Sequence, residues 1–423
     1  MKIHKKNYKR NRFDFYRILT YFFAFFLLLS CNSVYALASG TFVSYCCFGL
    51  LAILCFLRGK STIKRINPKA IMLVFPIYWL LLFISAILIP SRGLSYYFRF
   101  FLFLPLMLLF VSMNSSEENL DFMLILSNLI SLLALISIFL WLFGPILGVI
   151  KPIGNIRVNW GDMRIYTNYY YLLYTTRAHR RAVGNIVVWR NLAFYPEAPF
   201  SSMIFCFGLA SELFLRNELK KRRVLVILIA IFSTISTSGM ISAVFMCFMY
   251  RILVQYGKAH RTVMAFFVRI VFIPLMLSLG IVFISMFLLD YKQATDLGNY
   301  LSHMNAFSNG FKAFLDKPFT GYGFKYGNKM GNTTSGFFRI MIYGGLPLLS
   351  IYMWPFLKSI RYCLIEKKYM YLVFVLVVFA QLVLVVCQNS LLIFAYLSIF
   401  LVFYDSTKTM RGYLQTNSIQ GDS

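Results

Sequence analysis

The stretch KPIGNIRVNWGDMRIYTNYYYLLYTTRAHRRAVGNIVVWRNLAFYPEA, Lys151 to Ala198, is the longest break in a chain that is otherwise a succession of apolar runs. It holds Lys151, Arg157, Arg164, Arg177, Arg180, Arg181 and Arg190 against only two acids, Asp162 and Glu197. It closes on Phe194-Tyr195-Pro196-Glu197, where apolar sequence resumes. A second polar stretch runs from Asp290 to Gly336. The sequence around both falls into runs near the length that a helix needs to cross a bilayer core, about 20 residues.

Composition agrees. Of 423 residues, 60% are hydrophobic and 13% charged, with a mean hydropathy of +0.71. Soluble domains carry roughly 25% charged residues. A bilayer admits only structures that satisfy their own backbone polar groups, and long continuous runs favour helices over an alternating barrel. The formal net charge of +28 would suit nucleic acid, but Lys and Arg sit mainly in short loops between apolar runs, the topology signal of membrane proteins. No nucleic-acid partner is expected. Cys31, Cys46, Cys47, Cys55, Cys206, Cys247, Cys363 and Cys387 lie outside both polar stretches and read as small core hydrophobes.

The expected fold class is therefore an all-α polytopic membrane protein: one integral membrane domain over residues 1–423, about twelve spans and two long external loops. A basic start leads to a first run, Tyr16–Leu37. Ala36-Leu37-Ala38 resembles a signal-peptidase site, but the run is long for a signal core and reads as an uncleaved span. Further spans are expected at Thr41–Leu57, Ala70–Ile89, Ser95–Met113, Leu120–Leu147 and Pro199–Leu215. Val224–Tyr256 is too long for one upright helix at 1.5 Å per residue. Its central Ser233, Thr234, Ser236, Thr237, Ser238 and Gly239 predict two short helices around a polar hinge or turn. The rest are Met264–Leu289, Phe337–Leu357, Tyr369–Cys387 and Leu391–Tyr404, with a tail at 405–423. Placing both termini inside puts the polar stretches (149–198 and 290–336) outside. Inside segments then carry about twice as many Lys and Arg as outside ones, as the positive-inside rule requires.

The chemistry is expected in the loops. Arginine presents a planar fork of donors that fits phosphate oxygens. An arginine-rich outer face is either an anion clamp or a surface against water and lipid headgroups. Glu197, at the start of a span, is either a general base for a hydroxyl or an ion-pair partner of Arg190. In the second stretch stand His303, Lys325 and Lys329, and Gly321-Tyr322-Gly323 after Lys317-Pro318 reads as a tight loop. Arg339 begins a span, where it either snorkels to the boundary or faces the site. Arg99 and Arg269 lie in or near spans. No His pair has ligand spacing, no carboxylates cluster, and no phosphate-binding glycine loop is present, so neither metal nor cofactor is expected. Tyr169, Tyr170, Tyr171 and Tyr174 suit sugar stacking, and equally an interfacial belt.

Three segments carry a resemblance. Arg190 to Phe194 with Glu197, Phe200 and Ser201 looks like the Arg…Phe-x-Glu-Pro…Phe-Ser/Ala lead-in to the span after the first external loop of the O-antigen and capsular polysaccharide polymerases, relatives of the O-antigen ligases. His303 to Ala313 with Pro318, Gly321 and Gly323 is similar to their Arg-x-x-x-Trp…Pro-x-x-Gly-x-Gly stretch. Ser335-Gly336-Phe337-Phe338-Arg339 with Tyr343-Gly344-Gly345 looks like their Asp-Ser-Gly-Tyr…Tyr-Gly-Gly exit. Ala198, His303 and Thr334 depart from the pattern, which usually has proline, arginine and aspartate there. Ligases carry a histidine near the Thr334 position. The resemblance implies a metal-independent glycosyl transfer on the outer face of the bacterial cytoplasmic membrane. A glycan moves from a polyprenyl-pyrophosphate (undecaprenyl-type) carrier to a sugar hydroxyl of another lipid-linked repeat unit. It implies Arg177, Arg180, Arg181, Arg190, Lys325 and Arg339 for the pyrophosphate, and Glu197 or His303 as base. Membrane lipid, a chain-length regulator and a flippase are the implied partners. The alternatives are a ligase and, in another class, a flippase or transporter of lipid-linked sugars.

Overall fold

The computed structural model describes residues 15–62, 68–89, 98–160, 162–183, 186–256, 308–324 and 335–402. Helix dominates. In chain order stand α1 (Phe15–Ser30), α2 (Val34–Ala38), α3 (Phe42–Thr62), α4 (Pro68–Leu88), a π-helical segment (Phe98–Phe103) continuing as α5 (Leu104–Met113), and α6 (Ser116–Trp141) closed by a second π segment (Leu142–Ile146). After five strands come α7 (Ala198–Phe214), α8 (Lys221–Ser233), α9 (Thr237–Tyr256), α10 (308–316), α11 (Gly336–Ile365), α12 (Tyr369–Leu384) and α13 (Leu391–Val402). Among the described residues, three helical segments are long and apolar enough to cross a membrane: Ser116–Ile146, Thr237–Val254 and Gly336–Ile365. Shorter apolar helices pack around them. The expected ninth span, Met264–Leu289, lies outside the described residues.

Two expectations change. The first run is not one helix: α1 stops at Ser30, and Asn32 takes a left-handed conformation (φ 52°), which asparagine tolerates better than most residues. Ser33 then caps α2, its hydroxyl accepting from the Ala36 amide at 3.1 Å. The polar pair Asn32-Ser33 thus ends the span early. The all-α class also needs a qualification, because the first polar stretch is β-structure. β1 (Gly154–Trp160), β2 (Asp162–Tyr169) and β3 (Leu173–Thr175) form an antiparallel sheet in that order, and β4 (Arg180–Val183) pairs with β5 (Ile186–Trp189). In β1, Val158 is buried while Asn155, Arg157 and Asn159 are exposed, the period of two that a half-buried strand requires.

The polar hinge predicted in Val224–Tyr256 is present as the turn Thr234–Ser236 between α8 and α9, with Ile235 at φ 49°.

Polar contacts gather at the two ends of the helix assembly. At the loop end, Trp141 closes α6 by donating Nε1 to the Trp189 carbonyl at 2.7 Å. Tyr195 Oη donates to Leu28 O of α1 at 3.2 Å, and Asn191 N donates to Ser233 O of α8 at 2.9 Å. At the far end, Arg58 pairs with Glu118 and lies over the Tyr16 ring at 5.5 Å. There too the fully buried Glu212 meets Arg216 at 2.6 Å and Arg223 at 3.7 Å, and Ser127 Oγ donates to it at 2.8 Å. Buried charge is tolerated only when paired and hydrogen-bonded, and this group ties α6, α7 and α8 together.

Candidate functional site

Residues 191–196 are buried, and four of their six carbonyls accept from other elements. Ser201 Oγ donates to Leu192 O, Tyr174 N to Ala193 O at 2.8 Å and Val34 N to Phe194 O at 2.9 Å, and Tyr166 Oη to Pro196 O at 3.2 Å. Ala193 takes φ 46°, and its amide is held by Asn191 Oδ1 at 3.0 Å. The segment is a rigid lead-in that delivers Glu197 to the N-cap of α7 (φ −142°, ψ 148°), with Pro199 in the first turn. The Glu197 side chain does not cap. It accepts from Arg164 Nη1 of β2 at 3.1 Å, both side chains about a quarter exposed (26% and 28%). A carboxylate at a helix N-terminus is also favoured by the unpaired amides there. The partner is Arg164, not the Arg190 that sequence spacing suggested.

Arg190 lies elsewhere. It is 8% exposed, its Nε donates to Thr234 O at 2.8 Å, and its own amide donates to His179 O at 3.2 Å. Its neighbour Asn191 donates Nδ2 to Ser233 Oγ at 2.9 Å and Ser137 Oγ at 3.2 Å. The pair seals the turn between α8 and α9. Arg177 and Arg180 are exposed: Arg177 opens a single 3-10 turn, and Arg180 stacks its guanidinium on Trp189 at 3.9 Å. Arg181 sits opposite Val188 in the β4–β5 register.

Of the four tyrosines singled out, Tyr169 and Tyr174 are buried while Tyr170 and Tyr171 are 54% and 56% exposed. Both exposed ones adopt left-handed backbone (φ 51° and 61°), a conformation that costs side-chain-bearing residues roughly 1–2 kcal/mol. Burial pushes the Tyr174 hydroxyl well above the ordinary tyrosine value, so it acts as a neutral group beside Tyr35, whose ring lies at 6.0 Å.

The second and third sequence motifs touch. Gly321 (φ 61°) lies against the backbone of Tyr343 and Gly344, where a Cβ would come within 2.6 Å. Tyr322 N donates to Ile342 O at 2.7 Å and Leu346 N to Pro318 O at 2.7 Å. The second bond forms because α11 is interrupted at Gly345 (φ 57°, ψ −151°). Phe324 packs on Tyr343 at 5.0 Å, and Arg339, one turn earlier and half-buried, interacts with the Tyr343 hydroxyl. Gly336 meets the break between α12 and α13, near the Leu382 and Val385 carbonyls and Gln388. Ser390 in that break faces Cys31 at the end of α1. Both motif regions therefore lie at the loop end of the assembly.

The chain matches no family model and no curated protein.

Of the residues expected at the site, the structure places Glu197, Arg177, Arg180 and Arg339 at this end and puts Arg190 inside it. His303 and Lys325 lie outside the described residues. Sequence reasoning missed Arg164 as the partner of Glu197, since no spacing rule links residues 33 apart in a strand and a helix cap. It also missed Asn191, whose role shows only once the α8–α9 turn is in place.

Proposed function

We propose that the protein polymerises polyprenyl-pyrophosphate-linked oligosaccharide repeat units on the outer face of the cytoplasmic membrane. The supporting observation is the arrangement at the loop end. One partly exposed carboxylate, Glu197, is fixed on a buried lead-in and paired with Arg164, exposed Arg177 and Arg180 belong to the same polar stretch, and a loop built on glycines docks close to Arg339. Glu197 takes the proton of the acceptor hydroxyl as its oxygen bonds to the anomeric carbon of the donor. The bond from that carbon to the pyrophosphate oxygen breaks, and its electron pair leaves with the pyrophosphate. Arg177, Arg180 and Arg181 meet the charge that develops, a stabilisation that is strongest in a site poor in water. Arg190 enters as a positioning residue that holds the hairpin. Tyr170 and Tyr171 offer exposed rings to the glycan, while Tyr169 and Tyr174 serve the core.

The test is reconstitution of purified protein with a defined lipid-linked repeat unit, with and without chelator. Long-chain product in both conditions supports the reading. Transfer only to a different acceptor supports the ligase, and movement of the unit across the bilayer without chain growth supports a flippase.

A further inference from the structure

Arg99 is the arginine of the π-helical segment Phe98–Phe103, a helix form that is rare and recurs at functional sites. The segment starts at the loop end. Phe98 packs on Tyr45, near the start of α3, at 5.4 Å. The helix that continues it, α5, runs to Asn114, whose Oδ1 accepts from Tyr16 at the far end at 3.5 Å. Phe100 packs on Phe324, Tyr352 and Phe394 at 6.5, 6.3 and 5.1 Å. The π segment is thus set against the glycine loop, α11 and α13.

Arg99 is half-buried, and its charge acts on Tyr352, a residue only 1% exposed. The guanidinium therefore turns into the assembly. A snorkelling arginine would carry its head outward to the lipid phosphates instead. Among the described residues Arg99 makes no hydrogen bond and no ion pair. The loop-end acids whose side chains are described are already engaged: Glu197 pairs with Arg164, and Asp316 accepts from Tyr322. Tyr352 donates its own hydroxyl to Gln388 O at 2.6 Å. In the same corner the buried Gln388 Oε1 has no hydrogen-bond partner among the described residues. Ionisable side chains inside a membrane helix assembly are costly and ordinarily paired, and where they persist they mark a substrate path.

The group that answers an inward guanidinium at the membrane boundary is an anion that arrives with the substrate. The reaction proposed above brings together two lipid-linked diphosphates, both held at that depth by their carriers. One leaves with its electron pair; the other stays on the product. Arg177 and Arg180 belong to the β-structure and serve the leaving one. Two diphosphates drawn close enough for their glycans to react repel each other, so each needs a cation of its own. Resting on that function, we infer that Arg99 binds the retained diphosphate, that of the acceptor, in the corner formed by the π segment, Tyr352 and Gln388. An acidic sugar would also fit the arginine fork, but nothing fixes a sugar at this depth as a carrier fixes its phosphates.

The test titrates full-length protein in nanodiscs with radiolabelled polyprenyl diphosphate, which carries no sugar and cannot react. Two binding steps are expected. Arg99→Met weakens one of them about tenfold, equivalent to about 1.4 kcal/mol, while Arg180→Ala weakens the other. Arg99→Lys, which keeps the charge without the planar fork, retains part of the affinity. Because the charge has no partner in the fold, Arg99→Met is expected to melt at or above the parent's temperature. A lower melting temperature for Arg99→Met makes this a structural arginine and overturns the inference, whatever the binding. Unchanged binding overturns it too, as does equal displacement of the ligand by phosphatidylglycerol, which would return Arg99 to ordinary headgroups. Loss of a binding step with Arg99 in a protein that forms no polymer would defeat the enzymatic reading alone. Polymer formation by a protein whose binding ignores Arg99 would defeat this site alone.

Discussion

Arg190 and Glu197 stand seven residues apart and do different jobs. Glu197 keeps a modest, partly hydrated ion pair with Arg164, and such pairs contribute about 0–1 kcal/mol. Glu197→Gln should therefore leave the melting temperature and protein level near those of the parent while abolishing long-chain glycan, read on a chain-length ladder. Arg190 donates from a nearly closed position to Thr234 O. A hydrogen bond to a charged group contributes about 1.5–3 kcal/mol, so Arg190→Ala should lose stability in a thermal melt as well as product. A variant of Arg190 that melts like the parent and makes no polymer would return this residue to the substrate. Sequence made Glu197 visible as the acid at the start of the span that follows the first polar stretch. The side of the chain to which Arg190 belongs was not legible, because local composition is the same for a buried and an exposed arginine in a polar loop.

Among elements, the interrupted helix α11 and the buried carboxylate of α7 give the sharpest expectations. Gly345 takes a backbone conformation (φ 57°, ψ −151°) essentially confined to glycine, costing other residues about 1–3 kcal/mol, and an added Cβ there would run into the Pro318 carbonyl. Gly345→Ala should shift the Pro318–Gly323 loop and reduce polymer, with limited proteolysis showing new cuts near residues 317–324. Glu212→Ala leaves Arg216 and Arg223 without their shared carboxylate. Breaking a buried pair in this way costs about 3–5 kcal/mol, measurable as a large drop in melting temperature in detergent. The helices themselves were legible because apolar runs of spanning length have few other folds open to them. The two small sheets were less so. The alternation Ile156-Arg157-Val158-Asn159-Trp160 carried the signal, but the count of arginines drew attention away from their period. The break at Asn32 was signalled by the polar pair Asn32-Ser33 inside an apolar run, and the length of the run outweighed it.

For the molecule as a whole, the segregation of polar contacts to two ends makes a statement about sidedness. If the loop end faces outward, Arg177→Cys should react with a membrane-impermeant maleimide in intact cells. Glu218→Cys, exposed in the connection between α7 and α8, should react only after permeabilisation. The reverse pattern would remove the outer-face reaction altogether. Twelve spans were expected from hydropathy; among the described residues, three helical segments are long and apolar enough to cross a membrane. One seam has a consequence for how the chain is made. The polar groups in the turn between α8 and α9 are met by Ser137, Arg190 and Asn191, all of which leave the ribosome earlier. The β-structure between α6 and α7 must be settled before that helical pair can seat. A chain lacking residues 151–198 would then stall in biogenesis with a hairpin whose apex has nothing to bind, and quality-control proteolysis would remove it before any question of catalysis arose.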